Sequence, residues 1–299
     1  MRVGAVDIGT NSTRLLVAEV EDGKVEEVVR RLAITGLGRG VDASGRLADD
    51  AQARVFAVID RYAAEARGLG AANVLATATS AVRDAANGRE FLAAVAHRTG
   101  FQTRLLSGEQ EAATTLAGVT SDREILTGTL LVDIGGGSTE LVLGGPDGVS
   151  FTTSLQLGCV RMTERFLHTD PPAPAELAAC AAHVRSLLPA LEPRQAIGVA
   201  GTVTTLASLD CKLDTYDPER IHGHALSREA VDGQLARLAA VPLEQRERIL
   251  HLEPARAPVI VGGAVVLTVI LDTYGLEGIE VSERDILHGT ALLAAGAHG

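Results

Sequence analysis

Two aspartates, each closing an apolar run and leading into a small hydroxyl-rich turn, are the residues of this chain best suited to chemistry. One stands in Val6-Asp7-Ile8-Gly9-Thr10-Asn11-Ser12-Thr13-Arg14-Leu15, the other in Val132-Asp133-Ile134-Gly135-Gly136-Gly137-Ser138-Thr139-Glu140-Leu141; seven of the ten aligned positions are identical. Apolar runs precede both (Val3 to Ile8, Leu130 to Ile134) and resume after both (Leu15 to Val17, Leu141 to Leu143). That pattern predicts a β-hairpin whose turn exposes backbone N–H groups, with the aspartate at the end of the first strand. Such turns form anion-binding concavities, and a carboxylate beside a phosphate calls for a divalent cation. Asp7 and Asp133 are therefore candidate magnesium carboxylates, met directly or through water. Asn11, Ser12, Thr13, Gly136, Gly137, Ser138 and Thr139 form the candidate phosphate cradle. A hairpin turn needs glycine in any case, so one such turn means little; two matching turns argue for a phosphate.

Glu111 and Glu140 are the acid–base candidates. Glu140 lies directly past the second turn, where a plain hairpin gains nothing from a charge. Glu111 lies in Ser107-Gly108-Glu109-Gln110-Glu111-Ala112, at a helix start where the dipole favours acids regardless of function. The residues alone do not choose it over Glu109. Arg83 follows a short apolar strand and Thr79-Ser80, and Arg14 adjoins the first turn; either could clamp a phosphoryl group in bidentate fashion, against the plainer reading of a solvent-facing arginine. Gly201 and Thr202 follow another apolar strand and open a helix, whose free N–H groups suit an anion; alone, an ordinary glycine turn explains them. His222 and His224, two apart in a loop, read as structural. Cys159, Cys180 and Cys211 show no ligand spacing and read as thiols in a reducing compartment.

The elements that must position these groups alternate. Strands are predicted at Glu26 to Ile34, Val74 to Thr77, Gln102 to Leu106, Val149 to Leu155, Ala196 to Ala200 and Gly278 to Val281. Helices are predicted at Asp49 to Arg67, Arg89 to Thr99, Glu109 to Leu116 with Ser107 as N-cap, Cys159 to Leu167, Ala175 to Leu191, Arg256 to Tyr274 and Asp285 to Ala295. Length (299 residues) and the repeat predict two domains, 1–118 and 119–299, with a last helix at about 285–299 that packs back on the first. The fold class is α/β, with two lobes, a cleft between them and a duplicated phosphate-binding hairpin. A hydrophobic share of 46% supplies ample core. Aromatics at 3%, no tryptophan and a formal charge of −11 exclude broad nucleic-acid binding. The chain opens directly into a strand, and its most apolar window, Val259 to Leu271, is too short to cross a bilayer. A cytoplasmic protein with no membrane partner is expected.

Together these phrases resemble the exopolyphosphatase/guanosine pentaphosphate phosphohydrolase (Ppx/GppA) family, in its short two-domain form, within the sugar kinase–actin–heat-shock chaperone superfamily. The resemblance rests on Asp7 to Ser12, Ala76 to Ala85, Ser107 to Ala112, Asp133 to Glu140, Ser154 to Arg161, Gly201 to Leu206 and Val281-Ser282-Glu283 with Gly289, and so spans nearly the whole chain. It implies two actin-like (ribonuclease H-like) lobes and magnesium-dependent removal of terminal orthophosphate from inorganic polyphosphate. Glu111 would be the general base and Glu140 its assistant. Asp7, Asp133 and Glu140 would hold the metal, and Arg83 and the two turns would grip the substrate. Manganese as a substitute, a supporting K+ and a homodimer are further expectations, and weaker processivity on long polymers follows from the short form. Three alternatives share the fold: a guanosine pentaphosphate 5′-phosphohydrolase, an ATP-dependent kinase, for which Gly262-Gly263 resembles an adenosine-contacting pair, and a non-catalytic nucleotide switch. Two departures stand out. Gln110 replaces a frequent glutamate, and Pro258 an aspartate, which questions the helix start there.

Overall fold

In the computed structural model, which describes residues 1–213 and 215–296, the chain forms two compact units. One comprises Met1–Arg123 with the described residues from Arg284 onward, the other Glu124–Glu283.

The first unit starts with β1 (Arg2–Ile8), β2 (Ser12–Glu21) and β3 (Lys24–Ile34), followed by α1 (Val41–Ser44), α2 (Asp49–Gly68), β4 (Asn73–Ala78), α3 (Ser80–Asp84), α4 (Gly88–Thr99), β5 (Gln102–Leu105) and α5 (Gly108–Val119). The sheet order is β3-β2-β1-β4-β5. The first three strands form an antiparallel meander, and β4 and β5 join parallel to β1. From Val3 to Ile8, β1 is buried on both faces, as a central strand covered by helices on both sides must be, and its unbroken apolar run follows from that.

The second unit comprises β6 (Thr129–Ile134), β7 (Thr139–Gly145), β8 (Gly148–Leu155), α6 (Cys159–Phe166), α7 (Pro174–Leu187), β9 (Gln195–Val199), α8 (Ala200–Cys211), α9 (Pro218–Ile221), β10 (Ala225–Ser227), α10 (Arg228–Ala239), α11 (Leu243–Arg246), α12 (Ile260–Thr273) and β11 (Gly278–Val281). Its order, β10-β11-β9-β6-β7-β8, repeats that of the first sheet. An antiparallel meander of three is followed by two parallel strands, and β10 is added antiparallel on the edge. The two units thus share one α/β topology.

The last helix, α13 (Ile286–Ala294), belongs to the first unit. It crosses α5 backbone to backbone: a Cβ on Gly118 would lie 1.9 Å from the Asp285 carbonyl oxygen, and one on Gly289 1.9 Å from that of Thr114. Only glycine permits this approach. Residues 297–299 of the predicted last helix lie outside the described residues.

Local departures from the sequence reading have local causes. The helix expected from Ala175 to Leu191 stops at Leu187, because Leu188 precedes Pro189 and takes an extended conformation. The helix expected from Arg256 starts at Ile260, after a 3-10 turn over Pro254–Arg256; Pro258 has no N–H to give to a helical ladder. Neither β10 nor α10 was anticipated, although the Ser227 hydroxyl caps α10 by accepting from the Ala230 N–H at 3.1 Å.

Candidate functional site

The two hairpins have the same internal geometry. Asp7 lies directly across from Arg14 and Ile8 from Thr13, as Asp133 does from Glu140 and Ile134 from Thr139. The Gly9 N–H donates to the Ser12 carbonyl at 2.9 Å, and the Gly135 N–H to the Ser138 carbonyl at 3.0 Å. In both units, the segment after the third strand folds back onto the turn and occupies its carbonyls. The Gly38 N–H donates to the Thr10 carbonyl at 2.8 Å, and those of Thr35 and Gly36 to the Asn11 carbonyl. In the second unit Cys159 and Val160 donate to the Gly135 and Gly136 carbonyls, both at 2.9 Å, and Arg161 Nε to the Gly137 carbonyl at 2.8 Å.

The duplication is therefore longer than the ten-residue phrase. Leu37-Gly38 and Leu157-Gly158 do the same work, with both leucines fully buried. A Cβ on Gly38 would lie 2.2 Å from Thr10 Cγ2, and one on Gly158 2.1 Å from the Gly136 carbonyl oxygen. With the carbonyls held from behind, the N–H groups of Gly136 and Gly137 meet no protein acceptor among the described residues. That is the polarity an anion requires.

The threonines are used differently from the rest of the cradle. The Thr139 hydroxyl donates to the Leu157 carbonyl, and the Thr13 and Thr35 hydroxyls pair at 3.0 Å. Both threonines are fully buried and tie the folded-back segment to β2 and β7. Asn11 is buried with its Oδ1 unpartnered, Ser138 is buried and Ser12 half-buried.

The carboxylates differ between the units. In the second, Asp133 and Glu140 are both buried, Glu140 with 1% exposure, and Glu140 accepts from the Ser154 hydroxyl on β8 at 2.7 Å. In the first, Arg14 donates through Nε (3.0 Å) and Nη2 (2.7 Å) to one oxygen of Asp7, Oδ2, and through Nη1 to Asp285. One guanidinium thus serves two buried carboxylates, and they share it unequally. Burial alone would raise Asp285, but Arg14, the His288 hydrogen bond and Arg30 hold it well below the usual carboxylate range. Asp7 is pushed up, chiefly by burial, with a further contribution from Asp285 that Arg14 does not offset. Arg14, depressed by burial but raised more by both acids, stays charged.

Ser107 caps α5 in a reciprocal box: the Gln110 N–H donates to Ser107 Oγ at 3.2 Å, and the Ser107 N–H to Gln110 Oε1 at 2.9 Å. Gln110, a departure from the family pattern, is thereby a capping partner on the exposed side. Glu109 is also exposed, whereas Glu111 is only 7% exposed, so the fold makes the choice the sequence left open. Arg83 Nη1 donates to Glu111 Oε2 at 3.0 Å and to the Leu106 carbonyl at 2.8 Å. Its Nη2 is buried with no protein acceptor. A buried charged donor without a partner is costly, and an anionic ligand would satisfy it.

Gly201 and Thr202 lie in the first turn of α8, after Ala200 with a left-handed φ of 66°. A Cβ on Gly201 would lie 1.9 Å from Arg256 Nη1, so the Arg256 guanidinium lies against this turn. Thr202 is hydrogen-bonded to Cys159, whose thiol burial pushes up to about 11. The Gly262-Gly263 pair lies inside α12 against α6 and α8: a Cβ on either would lie 2.5 Å from the hydroxyl of Thr163 or Thr202, respectively. Helix packing accounts for this pair without a nucleotide. His224 pairs with Asp210 at 2.8 Å and His222 Nδ1 accepts from the Glu283 N–H at 3.1 Å. All three cysteines are free.

Among the described residues, no group of three or more His, Cys, Asp and Glu side chains forms a metal centre, and no helix is long and apolar enough to cross a membrane. The buried, directly opposed Asp133 and Glu140 nevertheless suit a hard cation that takes one or two carboxylates and completes its shell with water and phosphate. Sequence reasoning missed Asp285, Arg161, Arg256 and the Leu-Gly lids. The lids had a signal in the matching Leu-Gly pairs after each third strand, and Asp285 one in its position before an apolar helix.

Comparison with known proteins agrees with this geometry. Exopolyphosphatase 2 of Mycobacterium tuberculosis is 37% identical, the match covering 99% of both chains. Exopolyphosphatase 1 of the same organism is 30% identical over 98% of this chain and 88% of its own. The crystal structure of an exopolyphosphatase-like protein superposes with a TM-score of 0.91 at 32% identity, and the Aquifex aeolicus PPX-GPPA enzyme with 0.83 at 32%, each covering 99% of both chains. The model of the Ppx/GppA phosphatase family matches residues 16–295, and the chain belongs to that family.

Proposed function

We propose that this protein is a magnesium-dependent exopolyphosphatase that hydrolyses the terminal phosphoanhydride of inorganic polyphosphate and releases orthophosphate. The observation that carries the reading is Arg83 and Glu111: a buried carboxylate held by an arginine whose second terminal nitrogen is a buried, unpartnered donor. A carboxylate beside an unpartnered guanidinium donor supports a proton acceptor next to a phosphoryl oxygen. The names of full-length relatives support the substrate class.

In this reading the N–H groups of Gly136 and Gly137, with Asn11, Ser12 and Ser138, hold phosphate oxygens. Arg83 Nη2 takes a further oxygen. Glu111 orients a water and accepts its proton as the oxygen attacks phosphorus; the bridging oxygen leaves with the shortened polymer. In the second unit Asp133 and Glu140 would hold magnesium, and in the first Asp7 is the carboxylate suited to it. When bound, the ion neutralises phosphate charge, which with positioning accounts for most of the catalysis of phosphoryl transfer.

Phosphate release should be followed with short polyphosphate, long polyphosphate, guanosine pentaphosphate, and ATP with and without sugars, all with magnesium. Release from polyphosphate without any phosphorylated acceptor is expected. Faster release from the pentaphosphate nucleotide would make that the substrate, and sugar phosphorylation by ATP would replace the hydrolase reading with a kinase.

A further inference from the structure

We propose that Asp285, at the start of the last helix, is a positioning residue that acts through Arg14 to keep one oxygen of Asp7 available for the metal. The inference rests on the reading of Asp7 as a magnesium carboxylate, and it assigns a role to a residue outside both hairpins.

The geometry is specific. Arg14 spends its Nε and Nη2 on a single Asp7 oxygen, Oδ2, and Asp7 Oδ1 makes no hydrogen bond among the described residues. An arginine beside a lone carboxylate settles into a fork with one donor on each oxygen, which would occupy Oδ1. Here Nη1 is held instead by Asp285, so the guanidinium is tethered on its other side.

The second unit has no such arginine to tether, because Glu140 stands where Arg14 stands in the repeat.

Asp285 is itself fixed. Its Oδ1 accepts the Leu287 N–H at 2.9 Å and caps α13, and its own N–H donates to His288 Nδ1 at 3.3 Å. His288 is fully buried with Nε2 at 2.8 Å from Glu27 Oε1, and Arg30 lies 3.7 Å from Asp285 Oδ2. The glycine crossing of α5 and α13 sets the depth of this helix start.

Asp285→Asn separates charge from capping, since the amide oxygen still accepts at the helix N-terminus. In the full-length protein, Mn2+ binding should be measured by electron paramagnetic resonance without substrate, alongside thermal unfolding and the magnesium dependence of phosphate release. D285N is expected to bind Mn2+ ~10- to 100-fold more weakly, as for other partners that orient a metal ligand. Half-saturating magnesium should rise in proportion, with activity recovered at high magnesium. Unchanged Mn2+ binding in D285N, with Asp7→Asn strongly impaired, overturns the inference alone. Unchanged binding in both variants removes the role of Asp7 as well. If D285N does not fold, Arg14→Lys provides a second test: a single ammonium cannot hold both acids, and the same loss of Mn2+ affinity is expected. Wild-type affinity in that variant would also overturn the inference.

Discussion

Arg14 and Glu140 occupy one position of the duplicated hairpin, each directly across the strand pair from an aspartate, and they carry opposite charges. The repeat is thus structural in its turns and lids but asymmetric in its electrostatics. In the first unit the aspartate is already met by a cation; in the second it stands beside another carboxylate.

That asymmetry makes the second unit sensitive to loss of the Glu140 charge. Glu140→Gln keeps the acceptor for the Ser154 hydroxyl and removes the charge. Magnesium needed for half-maximal phosphate release should rise at least ~10-fold, with little change in thermal midpoint. Titration of activity against magnesium checks this, and an unaltered titration would place Glu140 outside the metal site.

Glu111→Gln tests the base. The glutamine oxygen still accepts from Arg83 Nη1, so the local packing survives while basicity is lost. Turnover should fall by ~10²–10⁴-fold, the usual contribution of a general base, with polyphosphate KM little changed. Steady-state phosphate release decides it; near-normal turnover would reassign the proton acceptor.

The buried threonines should behave as structural residues. Thr139→Val removes the donor to the Leu157 carbonyl and leaves a buried acceptor unmet, a loss of about 1–3 kcal/mol. Thr13→Val loses its pairing with Thr35. Thermal midpoints should fall in both while KM for polyphosphate stays the same. A raised KM with an unchanged midpoint would make either hydroxyl a substrate ligand.

A pH-dependent contribution to stability is expected at the start of α7. The Glu176 carboxylate accepts from the Thr169 hydroxyl (2.6 Å) and from the N–H groups of Ala173 (2.9 Å) and His168 (3.0 Å), which hold its pKa down to about 2 from a usual 4.5. A depressed carboxylate stabilises the folded chain above its unfolded pKa, and this is lost as pH falls through the folded value. Glu176→Gln should therefore unfold at a lower temperature than the parent at pH 7, and the gap should shrink from pH 4.5 toward pH 2. Thermal unfolding of both across that range measures it, and a constant gap would deny the linkage.

How much of the site was legible varied with the physics involved. The hairpins were, because small polar turns between apolar strands have few other readings and occur here twice. Glu111 could not be separated from Glu109, since both suit a helix N-terminus; only the face of α5 that packs against Arg83 distinguishes them. Thr13 and Thr139 looked like phosphate donors because hydroxyls in a glycine-rich phrase usually face the turn. Their hydroxyls instead face the folded-back segment, one residue past the point where strand alternation reverses the side-chain direction.

By itself the sequence determined the duplicated α/β plan and three of the acids worth testing, Asp7, Asp133 and Glu140, and pointed to a phosphate ligand, because strand period, turn chemistry and charge are local properties written in consecutive residues. Tertiary structure alone decided which arginine meets which acid. Asp285 reaches Arg14 across 271 positions of chain, brought there by a close glycine crossing of two helices whose partners no local pattern specifies. Burial then set how those two carboxylates divide one positive charge, since desolvation depends on everything packed around a group and not on its neighbours in sequence.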